Sequence, residues 1–313
     1  MSRINIGGQA VMEGVMMRNN DRYAVAVRKP DKQIEVKTNR CTGTSDRPAV
    51  CNLPIVRGVF SFVQSLTIGV KTLMYSAQFF EDEEEEAPKK KKKKKKEKTK
   101  EQESRAEKAE MAGTVTFSIV LAVGLFMLLP AWIASLLDAV IKSHVLIGLI
   151  EGVIRLAIFL GYVIAISRME DIKRTYMYHG AEHKTINCLE HGNELTVENV
   201  MQASRFHKRC GTSFLFIVMI VSILVFMCIT VDAMWLRLLL RVLLVPVIAG
   251  ISYEIIRFAG NSESWIANLL SKPGLLIQRL TTKEPTEDMV EVAIASAVLD
   301  WRAYLEEQAK SEK

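Results

Sequence analysis

The sequence predicts a membrane α-helical protein: four transmembrane helices in two hairpins, a small N-terminal β-rich cytoplasmic unit, and additional cytoplasmic helices. Three observations predict it. Four long apolar runs lie between residues 111 and 258, and they lift a 313-residue chain to 49% hydrophobic content with positive mean hydropathy. A basic stretch rich in histidine separates the second run from the third. The first fifty residues instead alternate apolar and polar positions around turn-forming residues, with no continuous apolar stretch of the secretory-signal kind.

This patterning divides the chain into a β-rich unit (1–52), an amphipathic membrane-surface helix (53–80), a charged linker (81–110), a first transmembrane hairpin (111–167), a His/Cys connector (168–212), a second hairpin (213–258) and C-terminal cytoplasmic helices (259–313). In the β-rich unit, Tyr23, Val25 and Val27 alternate with Ala24, Ala26 and Arg28. Lys29-Pro30-Asp31-Lys32 supplies a turn, and Ile34, Val36 and Thr38 answer on a second strand. Upstream, residues 7–18 (GGQAVMEGVMMR) gather three glycines and three methionines around Glu13, a composition that predicts a binding loop.

From Pro54 to Phe80 the polar residues Arg57, Gln64, Lys71 and Gln78 recur every seven positions on an apolar cylinder, which suits a helix lying on the membrane surface or packed under the β unit. Glu81–Glu86 followed by Lys89–Lys96 cannot bury an apolar face and reads as a solvated tether. Its lysines would attract anionic lipid or ribosomal RNA phosphates without reading sequence.

The apolar runs are Thr114–Leu137, Val145–Ser167, Ser213–Val231 and Trp235–Ile256. Each approaches the roughly 20 residues that a helix needs to cross a bilayer core. Basic residues crowd the segment before the first run and the connector at 168–212, so both termini and the connector fall on the cytoplasmic side of the inner (cytoplasmic) membrane. Within the runs, Glu151 and Arg155 stand one turn apart and can pair, Arg237 and Arg241 are expected to snorkel outward, and Glu254 and Arg257 sit near the cytoplasmic end. Beyond them, Ser262 would cap a short helix broken at Pro273-Gly274, and Thr286 opens an amphipathic helix carrying Met289, Val290, Ala293, Ile294, Ala297, Val298, Trp301 and Leu305, expected to pack on the β unit.

Four of the five histidines fall in the connector: His179, His183, His191 and His207. Residues 169–189 have helical composition and Gly192-Asn193 supplies a stop, so His179 and His183 lie one turn apart on one face and can share an ion. His179-Gly180-Ala181-Glu182-His183 also matches the inverted zincin pattern, in which the glutamate serves as general base. His207 and Cys210 are the nearest further ligands, on a segment preceded by a helix that Thr196 can cap. Zinc or another divalent transition metal is the implied cofactor. All four ligands together would close a structural site, whereas three plus water would leave an open, catalytic position with Glu182 as base. The other cysteines, Cys41, Cys51, Cys188 and Cys228, sit mostly in a reducing compartment, which argues against disulfides.

The segments at 7–18, YHGAEHKTINCLE at 178–190 and FHKRCGTSF at 206–214 together resemble the YqhQ-like family of bacterial membrane proteins, and EPTEDMVEVAI near the C-terminus agrees. Lys208 stands where the family's His-Pro-Arg-Cys-Gly segment has proline. The resemblance implies functional roles for Glu13, His179, Glu182, His183, His207 and Cys210, and membership of a domain family of unknown function described as predicted metal-dependent enzymes. It implies no substrate. The leading expectation is therefore a metal-dependent hydrolase acting on a lipid-linked or membrane-protein substrate. Its rival is a non-catalytic scaffold or membrane-protein biogenesis factor that meets the ribosome or export channel. A transporter is disfavoured, because four spans with few membrane-centre polar groups leave little pathway.

Overall fold

A computed structural model describes residues 6–43, 46–80, 113–137, 140–229, 231 and 233–298. The charged linker and its lysine run lie outside the described residues, as do Trp301 and Leu305. The β unit is a four-stranded antiparallel meander, β1 (Ile6–Val11), β2 (Gly14–Asn19), β3 (Arg22–Arg28) and β4 (Ile34–Arg40), paired in sequence order. The expected β3–β4 hairpin is present.

Residues 7–18 are not a binding loop but the strands of a hairpin, with Val11 opposite Gly14. Gly8 and Gly14 serve close approach: a Cβ on Gly14 would lie 2.3 Å from the Ala26 carbonyl oxygen. Glu13 sits at the tip with φ +48°. There it accepts from Arg174 Nε at 2.6 Å and from the Tyr178 hydroxyl at 3.3 Å, so it pins the hairpin to the connector.

Strands β2 and β3 are buried on both faces, which is why their sequences lack a polar side. One face meets helix α1 (Val56–Ala77) through Val25, Val27 and Ile68. On the other, Val15, Met17 and Ala26 pack with Tyr178, Met289, Val290 and Ala293, so the helix at residues 287–298 docks on the β unit as the sequence predicts.

Among the described residues, three helices are long and apolar enough to cross a membrane: α2 (Gly113–Ser135), α3 (His144–Ile166) and α7, which runs Met234–Asn261. Of the four expected spans, these three meet that description. The third apolar run forms α6 (Gly211–Met227), only 17 residues long. At 1.5 Å per residue it rises about 25 Å, short of the roughly 30 Å hydrocarbon core. Cys210, as its N-cap, and a turn at Cys228 set its ends.

Arg241 does not snorkel outward. It is buried, and its Nη2 donates to Glu151 Oε2 at 2.7 Å, while Glu151 Oε1 accepts from Arg155 Nη2 at 2.6 Å. Arg155 also donates from Nε to the Phe126 carbonyl at 2.9 Å, which lies in a π-helical turn of α2 at Gly124–Leu128. Both guanidiniums lie over the Phe226 ring, at 5.0 and 5.2 Å. Expected to snorkel with Arg237, Arg241 is instead the second cation of a buried Glu151 site.

Between the spans run α4 (Glu170–Glu190) and the short α5 (Val197–Gln202), capped by Thr196 as expected. After α7, it is Ser264 rather than Ser262 that caps α8 (Trp265–Thr281), and the helix continues through Pro273-Gly274. A Cβ on Gly274 would lie 2.5 Å from Ser213 Cβ, so the pair that reads as a breaker is instead where α8 abuts the start of α6. Residues 287–298 form α9.

Glu151→Leu should strand two guanidiniums in one buried pocket, at a cost of about 3–5 kcal/mol. A lowered unfolding midpoint for the detergent-purified variant, recovered when Arg155 and Arg241 are also changed to leucine, is the expected outcome; an unchanged midpoint for Glu151→Leu would contradict it.

Candidate metal centre

Helix α4 carries the centre. From Gly180 to Cys188 every residue is buried, so this helix is covered around its whole circumference. Two glycines permit that. A Cβ on Gly180 would lie 2.0 Å from the Lys283 carbonyl oxygen, where the chain after α8 crosses α4. A Cβ on Gly8 would lie 2.8 Å from Glu182 Cγ, where β1 meets the same helix. The helix ends on Gly192 at φ +74°, with Gly192 N bonded to Leu189 O and Asn193 N to Cys188 O, the paired C-terminal bonds of a Schellman stop.

The chain after α5 wraps α4 in extended form, and side chains of α4 take up its carbonyls in turn. Lys184 Nζ donates to the Met201 and Ala203 oxygens, at 2.8 and 2.9 Å, and Asn187 Nδ2 to those of Ser204 and Phe206, at 2.6 and 3.0 Å. Between these anchors, Arg205 O sits 2.7 Å from His183 Nδ1. Thr281 O, at the end of α8, sits 2.9 Å from His179 Nδ1. A carbonyl can only accept, so each Nδ1 must carry hydrogen. In the neutral ring the Nε2 lone pair is then left for another partner.

That partner region is Cys210. His179 Nε2 lies 3.3 Å from its Sγ, and the donor atoms of His179, His183 and Cys210 lie within 4.8 Å of one another. Zinc–nitrogen and zinc–sulfur bonds of about 2.0 and 2.3 Å give a tetrahedral edge of about 3.5 Å, which the His179–Cys210 separation matches. Glu182 adds a buried carboxylate whose Oε2 has no hydrogen-bond partner among the described residues and lies 3.9 Å from His179 Nε2. Two imidazole nitrogens, a thiolate sulfur and a nearby unpaired carboxylate oxygen are a donor set that fits a zinc-type ion.

The electrostatics agree. Burial works against a Cys210 thiolate, yet His179 and His183 outweigh it and hold the thiol well below its ordinary range. Cys210 also caps α6, accepting from Thr212 N at 3.4 Å, where the helix dipole favours a negative sulfur. Burial likewise opposes a charged His179, but Cys210, Glu182 and the Thr281 carbonyl raise its pKa to about 9. Burial pushes the Glu182 carboxyl up against the opposing pull of the histidines.

His207 stands beside the trio rather than within it. Its ring is 5.7 Å from that of His183, and its Nε2 faces Glu190 Oε2 at 3.2 Å. Its backbone is clamped by Gln278, whose Oε1 accepts from His207 N at 2.9 Å and whose Nε2 donates to His207 O at 2.8 Å. Glu13 lies apart, engaged with Arg174. His191 closes on its own helix through Asn187 O.

Sequence reasoning missed Gln278, Thr281, Arg205 and Gly8. Two of them act through backbone carbonyls, which carry no residue signature; Gly8 was visible only as part of a glycine-rich run. Gln278→Leu should loosen the segment that presents Cys210 while leaving every donor in place.

In protein stripped of metal, the ultraviolet thiolate band of Cys210 should persist as pH falls through neutrality, because a depressed pKa keeps sulfur ionised until well below the ordinary thiol range. The band should be missing from Cys210→Ser. A band that appears only on titration through the ordinary thiol range would contradict this.

A family model described as "Protein of unknown function (DUF1385)" matches residues 53–300. A protein of Bacillus subtilis (strain 168) described as "Uncharacterized protein YqhQ" is 35% identical over 301 residues, covering 93% of this chain and 90% of that protein. No solved structure matches significantly. The three segments that carry the resemblance at 7–18, 178–190 and 206–214 thus prove to be the first hairpin and the two arms of one buried centre, in a chain that belongs to the DUF1385 family of proteins of unknown function.

Proposed function

We propose that this chain is a multi-pass protein of the bacterial inner (cytoplasmic) membrane, with both termini cytoplasmic, that holds a zinc-type ion on His179, His183 and Cys210 and acts as a metal-dependent hydrolase. The observation that carries this reading is the pairing of both Nδ1 atoms with backbone carbonyls, which fixes two rings with their Nε2 atoms turned to one sulfur.

Three protein ligands leave one position for water or substrate, the count of catalytic rather than closed sites. An ion held there supplies Lewis acidity and makes water acidic near neutrality. Glu182 is the general base: it is buried one turn from His179 and next to His183, burial raises its carboxyl pKa, and Oε2 is not committed to another group among the described residues. The Thr281 and Arg205 carbonyls hold the rings, and Gln278 holds the loop that brings in Cys210. His207, linked to Glu190, orients that loop. The substrate is lipid-linked or a membrane protein, since Cys210 caps the apolar helix α6 and so brings the centre to the end of a proposed span.

The packing also supports a fourth crossing by α6. It packs against α3, α7 and α8, and its N-terminus belongs to the cytoplasmic centre, while its C-terminus leads directly into α7, which returns to the same side. Contact with α3 and α7 would relieve the length shortfall, because two sides of α6 face protein rather than lipid.

Wild type purified without chelators should contain about one equivalent of zinc or a similar divalent metal per chain by elemental analysis. His179→Ala, His183→Ala and Cys210→Ser should lose it. Glu182→Gln should keep it yet fail to replace wild type in a cell that requires the protein. Metal-free wild type would overturn the reading, and a fully functional Glu182→Gln that retains metal would move it from catalysis to structure.

A further inference from the structure

We propose that a groove between α1 and α7 binds the phosphate headgroup of an anionic phospholipid. The groove measures about 320 Å³ and is lined by Arg57, Glu254, Arg257, Phe258, Asn261 and Ser262. Its walls are held by close helix contact. A Cβ on Gly58 would lie 2.8 Å from Tyr253 Cβ, and one on Gly250 would lie 2.4 Å from Ile55 Cγ2, so the two helices meet almost backbone to backbone.

Charge inside the groove is uneven. Arg57 grips Glu254 in a two-point pair, Nε to Oε1 at 2.6 Å and Nη2 to Oε2. That pair cancels its own charge. Arg257, three residues beyond Glu254, is exposed and makes no hydrogen bond or ion pair among the described residues. The groove therefore carries a net positive charge on a guanidinium with free donors, the group best suited to grip a phosphate at two points.

Position selects a lipid over a free phosphate. Arg257 lies four residues before the end of the apolar helix α7, about 6 Å along the axis. Phe258 is half-exposed in the same groove and offers an apolar wall for an acyl chain. The two helices packed against α7 near this end both present apolar side chains outward: Val63, Leu66 and Val70 on α1, and Trp265, Ile266 and Leu269 on α8. A cation just inside the end of an apolar span, with an exposed tryptophan opening the next helix, matches the level at which headgroups meet chains. Phosphate on Arg257 with a chain along Phe258 uses both features; inorganic phosphate uses one. The inference rests on the membrane placement proposed above and is independent of the metal centre.

Full-length protein reconstituted in nanodiscs of phosphatidylcholine with a minor fraction of phosphatidylglycerol, then delipidated and weighed by native mass spectrometry, tests it. Wild type should retain phosphatidylglycerol selectively. Arg257→Ala should retain about fivefold less, the effect of one interfacial cation. Lys71→Ala, an exposed cation on α1 outside the groove, should behave as wild type, and excess inorganic phosphate should not displace the lipid.

Equal retention by Arg257→Ala, or an equal loss in Lys71→Ala, would overturn the site. Displacement by inorganic phosphate would replace the lipid with a soluble ligand and overturn the proposal as stated. Arg257→Gln, checked for wild-type elution, serves if the alanine variant does not fold. Failure of the protein to incorporate into nanodiscs at all would instead bring down the membrane placement.

Discussion

Two hydrogen bonds from histidine to backbone carbonyl, His179 to Thr281 and His183 to Arg205, are the constraint around which α4, the β unit and the segments that wrap them are assembled. Each joins α4 to a segment distant in sequence, one at the end of α8 and one in the chain that leads to α6. For both carbonyls to arrive, α4 must be enclosed on all sides. Gly180 and Gly8 allow that enclosure by omitting the side chains that would hold the 283–285 segment and β1 away. Lys184 and Asn187 complete it by satisfying the carbonyls that an extended segment would otherwise bury unpaired. The same enclosure leaves Glu182 buried beside the Nε2 atoms, so the fold's packing and the site's chemistry follow from one arrangement.

The spans are tied together by a different device. Glu151 is shared by two guanidiniums, Arg155 is completed by a carbonyl freed in a π-helical turn, and Phe226 lies under both cations. Such a cluster is a costly choice in an apolar setting. It fixes which faces of α2, α3, α6 and α7 meet, since any rotation would bury a charge without its partner. Registration of these helices by ionic geometry also fixes where Cys210 emerges at the head of α6.

Much of this was legible because the signals were local. The spacing of His179, Glu182 and His183 predicted their common face, the Gly192-Asn193 stop marked the end of α4, and the alternation at 23–38 gave the β3–β4 hairpin. What escaped depended on distant partners. Pro273-Gly274 reads as a helix breaker from its own chemistry, and only contact with Ser213 shows why the helix continues through it. The glycines at 7–18 read as a loop because nothing local reveals Ala26 pressing on Gly14 and Glu182 on Gly8. Arg241 reads as a snorkelling residue until Glu151, ninety positions earlier, is found beside it. The third apolar run looked like the others in composition; its helical length, set by Cys210 capping one end and a turn at Cys228 the other, distinguishes it.

The most direct test of the account is X-ray absorption at the metal edge of the purified protein. It predicts a first shell of two nitrogen scatterers at about 2.0 Å and one sulfur at about 2.3 Å, with the sulfur lost in Cys210→Ser. A shell without sulfur in wild type, or one unaffected by that substitution, would contradict it.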